Sequence, residues 1–101
     1  MSSDMEIGQV IAERIMVFVH DTGEREDASL RVGLPVRIKD ETWCCPYELR
    51  TQGGAKAFAM YGVDALQALE LTMKTLRVEV DHWERHRKGK FHFLDEEGAA
   101  I

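Results

Sequence analysis

The sequence contains little cysteine, little proline and no long apolar segment. Its 101 residues include two cysteines and two prolines, and the longest apolar runs, residues 15–19 and 57–61, have five residues each. A helix that crosses a membrane needs about 20 apolar residues, so no membrane-spanning segment is expected. Residues 1–6 are largely polar and acidic and lack the apolar core of a signal peptide. The two cysteines are adjacent and poorly placed to bridge each other, and free thiols indicate a reducing compartment. We therefore expect a cytoplasmic protein.

The charge balance narrows the class of partner. Eighteen acidic side chains against thirteen basic ones give a formal net charge of −5. Binding to nucleic acids or to anionic membranes is driven by an excess of basic residues, so neither partner is expected. A hydrophobic fraction of 45% excludes a disordered chain, and this length corresponds to one domain. The acidic excess lies in the first 30 residues and at residues 95–97, whereas the stretch between them is basic.

Alternating apolar residues predict an antiparallel sheet. A β-branched and aromatic run predicts a strand over residues 10–20, and turn-forming residues follow it. In the next strand every second residue is apolar, and these residues are Leu30, Val32, Leu34, Val36 and Ile38. We expect all five on one buried face, with an edge position or a bulge at Pro35, which has no N–H to donate. Residues 43–49 predict a third strand interrupted at Pro46, residues 56–61 a short fourth and residues 91–94 a last one.

One long helix follows the early strands. Its apolar residues recur at steps of three and four and are Leu66, Leu69, Met73, Leu76, Val80 and Trp83. Asp64 is the expected N-cap, Gln67 completes a capping box, and Gly89 is the expected left-handed residue at the end. Such a helix is long enough to cover one face of a small sheet.

These elements predict an α+β fold in two layers. An antiparallel sheet of four to five strands, in the order β-β-β-(β)-α-β, is covered on one face by the helix. We expect a flexible leader at residues 1–9, a single domain over residues 10–94 and a flexible acidic tail at residues 95–101.

Four acidic side chains cluster at the tip of the first hairpin, and we call them the acidic turn: Asp21, Glu24, Glu26 and Asp27. Only Arg25 offsets their charge. Exposed charges of one sign raise the association rate of an oppositely charged protein and select for it. The acidic turn is therefore the predicted partner-binding surface, and the expected partner is a basic protein.

Two other groups of residues support alternatives. Cys44 and Cys45 are expected on opposite sides of their strand, and a reactive thiol needs a His, a Lys or a helix N-terminus nearby to lower its pKa. Their neighbours in the sequence supply none. Glu79, His82 and His86 share one side of the helix at a spacing that suits metal ligands, among the charges of an ordinary solvated flank.

The common catalytic and nucleotide-binding motifs are absent. The sequence has no GxGxxG, GxxxxGK[ST] or GxSxG pattern and no EF-hand loop. We therefore predict no catalytic residue, no cofactor and no metal ion, and a protein that is not an enzyme.

Trp43, the run Cys45-Pro46-Tyr47 and the segment YGVDALQAL at residues 61–69 resemble a family of small uncharacterised bacterial single-domain proteins. The resemblance covers roughly residues 10–94 and implies an α+β domain without implying an activity. Small acidic domains of this kind also resemble the immunity proteins that bind and block a cognate toxin.

Together these observations predict a non-enzymatic cytoplasmic protein-binding domain, immunity-like, whose acidic turn binds a basic toxin-like protein. The alternatives are a small homodimeric ligand- or metal-binding protein, or a thiol enzyme, that uses Cys44/Cys45 or Glu79/His82/His86. A homodimer would form through a sheet edge or helix stripe that pairs with itself.

Overall fold

The computed structural model describes residues 7–101. One helix packs against one face of an antiparallel sheet, which confirms the predicted α+β class. In chain order the elements are β1 (Val10–His20), β2 (Arg25–Gly33), β3 (Val36–Lys39), β4 (Thr42–Thr51), β5 (Gly54–Gly62), α1 (Ala65–Arg87), β6 (Gly89–Phe93) and β7 (Glu96–Glu97). The sheet has seven strands, so the predicted number of four to five was too low.

The long strand β4 organises the sheet. β5 pairs with it along one edge, from Thr51↔Gly54 to Trp43↔Gly62. Along its other edge β4 pairs first with β3 and then with β2, and β1, β6 and β7 follow β2 in that order. Pro46 does not interrupt β4, contrary to the sequence prediction, because it still lies within the ladder opposite Ala59.

The additional strands arise partly because one predicted strand is divided at Leu34 and Pro35. Val32 lies opposite Tyr47, whereas Val36 lies opposite Cys44, so one chain advances four residues while β4 advances three. This extra residue is a β-bulge, the feature that Pro35 predicts. A shift of one residue exchanges the faces of a strand. Val36 therefore lies on the face opposite Leu30 and Val32, whereas the sequence alternation predicts one buried face for all of these residues. A second register shift follows between Arg37 and Lys39, and Ile38 at that shift is 54% exposed.

The helix begins at an Asp N-cap, and its first turn packs closely against β5 through small residues. Asp64 is the N-cap, and its Oδ1 accepts a hydrogen bond from the Gln67 backbone N–H at 2.8 Å. At Gly62 an added Cβ would lie 2.6 Å from the backbone nitrogen of Ala68, so the first turn approaches β5 very closely. Ala68 faces the sheet there, and the predicted core residue Leu66 is instead 77% exposed.

The end of the helix also differs from the prediction in one residue. The left-handed C-cap is Lys88, with φ of 53°, and Gly89 already begins β6. An added Cβ at Gly89 would lie 2.5 Å from the Val19 carbonyl oxygen, so this glycine serves close packing.

The core lies between the helix and the face of the sheet that we call the inner face. Its side chains come from β1, β2, β4, α1, β6 and the segment after β7 and are Met16, Phe18, Ala28, Leu30, Val32, Cys45, Tyr47, Leu49, Ala68, Leu76, Val80, Trp83, Phe91 and Ala99. No helix within residues 7–101 combines the length and apolar character that a membrane span requires. On the opposite side of the sheet, the outer face, no helix lies among residues 7–101.

Both predicted terminal segments include residues that contact the sheet. Residues 1–6 of the predicted leader lie outside the described part of the chain, but the Gln9 carbonyl accepts a hydrogen bond from the Leu34 N–H at 2.7 Å. In residues 95–101, predicted as a flexible tail, Ala99 is buried in the core. Arg14 Nη1 donates to the carbonyls of Ala99 and Ala100, at 3.0 and 2.7 Å.

Candidate functional site

The acidic turn is divided by the alternation of β2. Asp21 and Glu24 are exposed between β1 and β2, and Glu26 and Asp27 are successive strand residues on opposite faces. Glu26 is half-buried on the inner face, whereas Asp27 is exposed on the outer face. The four predicted partner-binding residues therefore do not form one continuous surface.

Glu26 joins the ends of two hairpins. Its carboxylate accepts a hydrogen bond from His20 Nε2 at 2.5 Å and another from the Gly53 backbone N–H at 3.0 Å. Burial alone would raise the pKa of Glu26, but the hydrogen bonds from His20 and Gly53 outweigh it and lower the pKa. The carboxylate of Glu26 is thus bound by donors of the same chain rather than presented to a partner.

Basic residues lie beside the acidic turn. The Asp21 backbone N–H donates to the Lys88 carbonyl at 2.8 Å, and Lys90 lies opposite Val19 in the ladder between β1 and β6. The end of α1 contributes further basic side chains, Arg85 and Arg87. The acidic and basic segments of the sequence therefore meet at the same end of the molecule, and the local charge there is mixed.

The two cysteines occupy opposite faces of β4, as the alternation predicts. Cys45 is fully buried in the core, with its Sγ 3.6 Å from the Gly33 carbonyl. Cys44 lies on the outer face and is also buried. Burial raises the pKa of both thiols, and the nearby Cys45 thiol raises that of Cys44 further, although a hydrogen bond with Tyr61 partly opposes this shift. Both therefore favour the protonated thiol rather than the nucleophilic thiolate.

The Glu79 carboxylate is bound by residues other than the two histidines near it in sequence. Its carboxylate accepts hydrogen bonds from Tyr47 Oη at 3.2 Å and from Lys56 Nζ at 3.0 Å. Burial, followed by the negative charge of Glu79, raises the pKa of Tyr47. The imidazoles of His82 and His86 are exposed and stacked, with 3.9 Å between ring centroids. Residues 7–101 contain no group of three or more His, Cys, Asp or Glu side chains arranged to hold a metal ion.

A row of ion pairs crosses the middle of the outer face. Arg31 on β2 lies between Glu13 on β1, at 3.0 Å, and Glu48 on β4, at 3.8 Å. Arg50 makes two contacts with the Glu48 carboxylate, at 3.0 and 3.2 Å. Glu48 is buried even though this face carries no helix.

An apolar groove lies beyond these ion pairs, around β3. We call it the outer apolar patch, and its exposed members, each 42–54% exposed, are Leu34, Val36, Ile38 and Tyr61. Cys44 and Pro46 form the base of the groove, Ile7 lines one side, and its volume is about 440 Å³. The bulge at Leu34 and Pro35 turns Val36 away from the helix, and a second register shift, between Arg37 and Lys39, lies at Ile38. Simple alternation assigns Leu34, Val36 and Ile38 to the core, so it does not predict the patch. The only signal for it was Pro35.

The comparisons with known proteins identify a family without an assigned activity. A family model described as Domain of unknown function (DUF6968) matches residues 12–101. No curated protein and no solved structure matches the chain.

Proposed function

The chain belongs to the DUF6968 family, and we propose that it is a non-enzymatic protein-binding domain that binds its partner on the outer apolar patch. The observation that carries this proposal is the contiguous exposure of Leu34, Val36, Ile38 and Tyr61. Scattered apolar residues are common on protein surfaces, but a contiguous exposed group is typical of an interaction site. The buried base of the groove, at Cys44 and Pro46, gives a partner side chain a floor to pack against.

The apolar lining of the groove indicates the chemistry of the partner. Lys39 lies opposite Thr42, on the same face as Val36, whereas Arg37 lies opposite Trp43 on the other face. Exposed Asp40 and Glu41 follow Lys39 in the turn, so the charge beside the patch is mixed. We therefore expect a protein partner that inserts apolar side chains into the groove and pairs with charges of both signs at its rim. Its expected compartment is the cytoplasm, because Cys44 and Cys45 are free thiols on opposite faces of one strand.

Affinity capture from a lysate of the source cells, followed by titration of the purified partner, tests this proposal. Ile38→Asp introduces a charge at an exposed apolar position of the patch and is expected to weaken binding by about tenfold or more. Ile15→Asp is the matched control, because Ile15 is also exposed on the outer face but lies on β1 outside the patch. Binding that survives Ile38→Asp, or that both substitutions weaken equally, overturns the proposal.

The acidic turn supports a second candidate function, the immunity-like binding of a basic protein. Asp21, Glu24 and Asp27 are exposed, and none of the three forms an ion pair with another residue in the described range 7–101. The double substitution Asp21→Lys and Glu24→Lys distinguishes this candidate. It abolishes capture if the acidic turn binds the partner and leaves capture unchanged if the outer apolar patch does.

A further inference from the structure

The sheet edges formed by β7 and β5 differ in how far they are protected from pairing with another strand. At one edge the strand β7 has only two residues, and the segment after it turns back onto the sheet. The Gly98 N–H donates to the Phe91 carbonyl at 2.7 Å, and Arg14 binds the carbonyls of Ala99 and Ala100. A short strand and a covering segment are two of the means by which proteins prevent further strand pairing.

The opposite edge lacks these protections. β5 runs for nine residues, Gly54–Gly62, in continuous register with β4, and contains no proline. Within residues 7–101 it pairs with β4 alone, so its second edge presents unpaired backbone N–H and C=O groups. An exposed charge on an edge strand discourages pairing with another strand. The single charged side chain of β5, Lys56, is instead paired with Glu79 on the helix at 3.0 Å. Phe58, at the middle of the strand, is 47% exposed.

We propose that β5 pairs with β5 of a second copy of this chain, antiparallel and around a two-fold axis at Phe58. An isologous interface of this kind must be complementary to itself. The axis places Phe58 opposite Phe58, an aromatic cross-strand pair. It also places Lys56 opposite Met60, so no like charges meet across the junction.

The remaining pairs of the same register are sterically compatible. Ala57 lies opposite Ala59, Ala55 opposite Tyr61 and Gly54 opposite Gly62. Antiparallel pairing keeps the faces of the two sheets together, so both helices lie on one side of a sheet that continues through both copies. The dimer and the proposed binding site share only Tyr61, near one end of the register, because Phe58 lies opposite Tyr47 on the inner face of the sheet.

Light scattering of the purified full chain measures the mass of the particle. The expected mass is twice the 11.5 kDa of the chain. Phe58→Lys sets two lysines opposite each other and is expected to give the monomer mass. Val36→Lys is the matched control, since Val36 is 46% exposed and lies on β3; it should remain dimeric. A monomeric wild-type chain, or a dimer that Val36→Lys dissociates and Phe58→Lys does not, overturns the proposal.

Cross-linking tests the register without relying on a destabilising substitution. Phe58→Cys brings two engineered thiols within about 5 Å, the Cβ separation of directly opposed residues. A short bismaleimide should then produce a covalent dimer. Ala55→Cys separates the two thiols by about 20 Å, at roughly 3.4 Å per residue, and should not cross-link. Equal cross-linking by both variants, or cross-linking by Ala55→Cys alone, overturns the two-fold at Phe58.

The variants also separate this dimer from the proposed function. Phe58→Lys should remove the dimer and keep a binding site for the partner on each monomer, whereas Ile38→Asp should remove partner binding and keep the dimer. Loss of one property therefore leaves the other open to measurement in the same preparation.

Discussion

Val32 and Val36, two apolar residues of one alternating run, face opposite sides of the sheet. Val32 lies opposite Tyr47 and faces the helix, whereas Val36 lies opposite Cys44 on the outer face. The bulge at Leu34 and Pro35 separates them and places Val36 on the face opposite to that of Val32. The same bulge thus ends the core in this part of the sheet and begins the outer apolar patch.

Substitution with threonine, which has nearly the shape of valine, should distinguish the two positions. Val32→Thr places a hydroxyl in the core, where Val32 is 6% exposed, and should lower the free energy of unfolding by about 1–3 kcal/mol. Val36→Thr leaves its hydroxyl in water and should change this free energy by less than about 0.5 kcal/mol. Urea denaturation measures both. Similar losses at the two positions would show that the alternation continues through Pro35 without a bulge.

Regions in which neighbouring residues determine the structure could be predicted from the sequence. The strand over residues 10–20, the cap at Asp64 and the opposite orientations of Cys44 and Cys45 each depend on local alternation or on a local hydrogen bond. These predictions are confirmed because the relevant contacts lie within a few residues.

Features that depend on distant contacts could not be predicted in the same way. Glu26 looks like an exposed charge until the fold brings Gly53, from another hairpin, to its carboxylate. Ala99 and Ala100 look like part of a tail until Arg14, far away in the sequence, donates hydrogen bonds to their carbonyls. The division of the acidic turn and the exposure of the outer apolar patch could not be predicted for the same reason, because neither the partner of Glu26 nor the face of Val36 is determined locally.

The hydrogen bonds of Glu26 predict a dependence of stability on pH. The pKa of Glu26 in the folded chain lies below its ordinary value of 4.5, so the folded state favours the carboxylate. This contribution is complete above the unfolded pKa and is lost as the pH falls through the folded pKa. Glu26→Gln should therefore reduce the loss of stability on acidification below about pH 5.

Thermal denaturation across that pH range provides the measurement, with Glu24→Gln as the control. Glu24 is exposed in the turn, and only its backbone takes part in the local hydrogen bonds. If both variants respond to pH as the wild type does, the hydrogen bonds from His20 and Gly53 to Glu26 do not contribute to stability.

The contact between β5 and the helix predicts that replacing glycine with alanine costs much more stability at Gly62 than at Gly53. Gly62→Ala brings a Cβ to 2.6 Å from the Ala68 backbone nitrogen, which cannot move without displacing the helix start, and should cost about 1–3 kcal/mol of stability. Gly53→Ala meets side-chain atoms alone, of which the nearest is the flexible Arg87 guanidinium at 3.4 Å, and should be nearly neutral. The melting temperatures of the two variants give the comparison. A neutral Gly62→Ala would mean that the helix does not approach β5 this closely.

Glu48 pairs with two arginines on the outer face, Arg31 and Arg50. It is 7% exposed and binds Arg50 at two positions, with Arg31 at 3.8 Å, so its removal leaves both guanidinium groups without their nearest shared carboxylate. Glu48→Ala should lower the free energy of unfolding by about 1–3 kcal/mol, since the lost hydrogen bonds are charge-assisted and the Glu48 side chain is only 10% exposed, although that of Arg50 is 57% exposed. Glu13→Ala is the matched control, because Glu13 also pairs with Arg31 but its side chain is 42% exposed. An exposed pair contributes less than about 1 kcal/mol. Urea denaturation at low and high salt compares the two, and equal costs would show that Glu48 is no better shielded than Glu13.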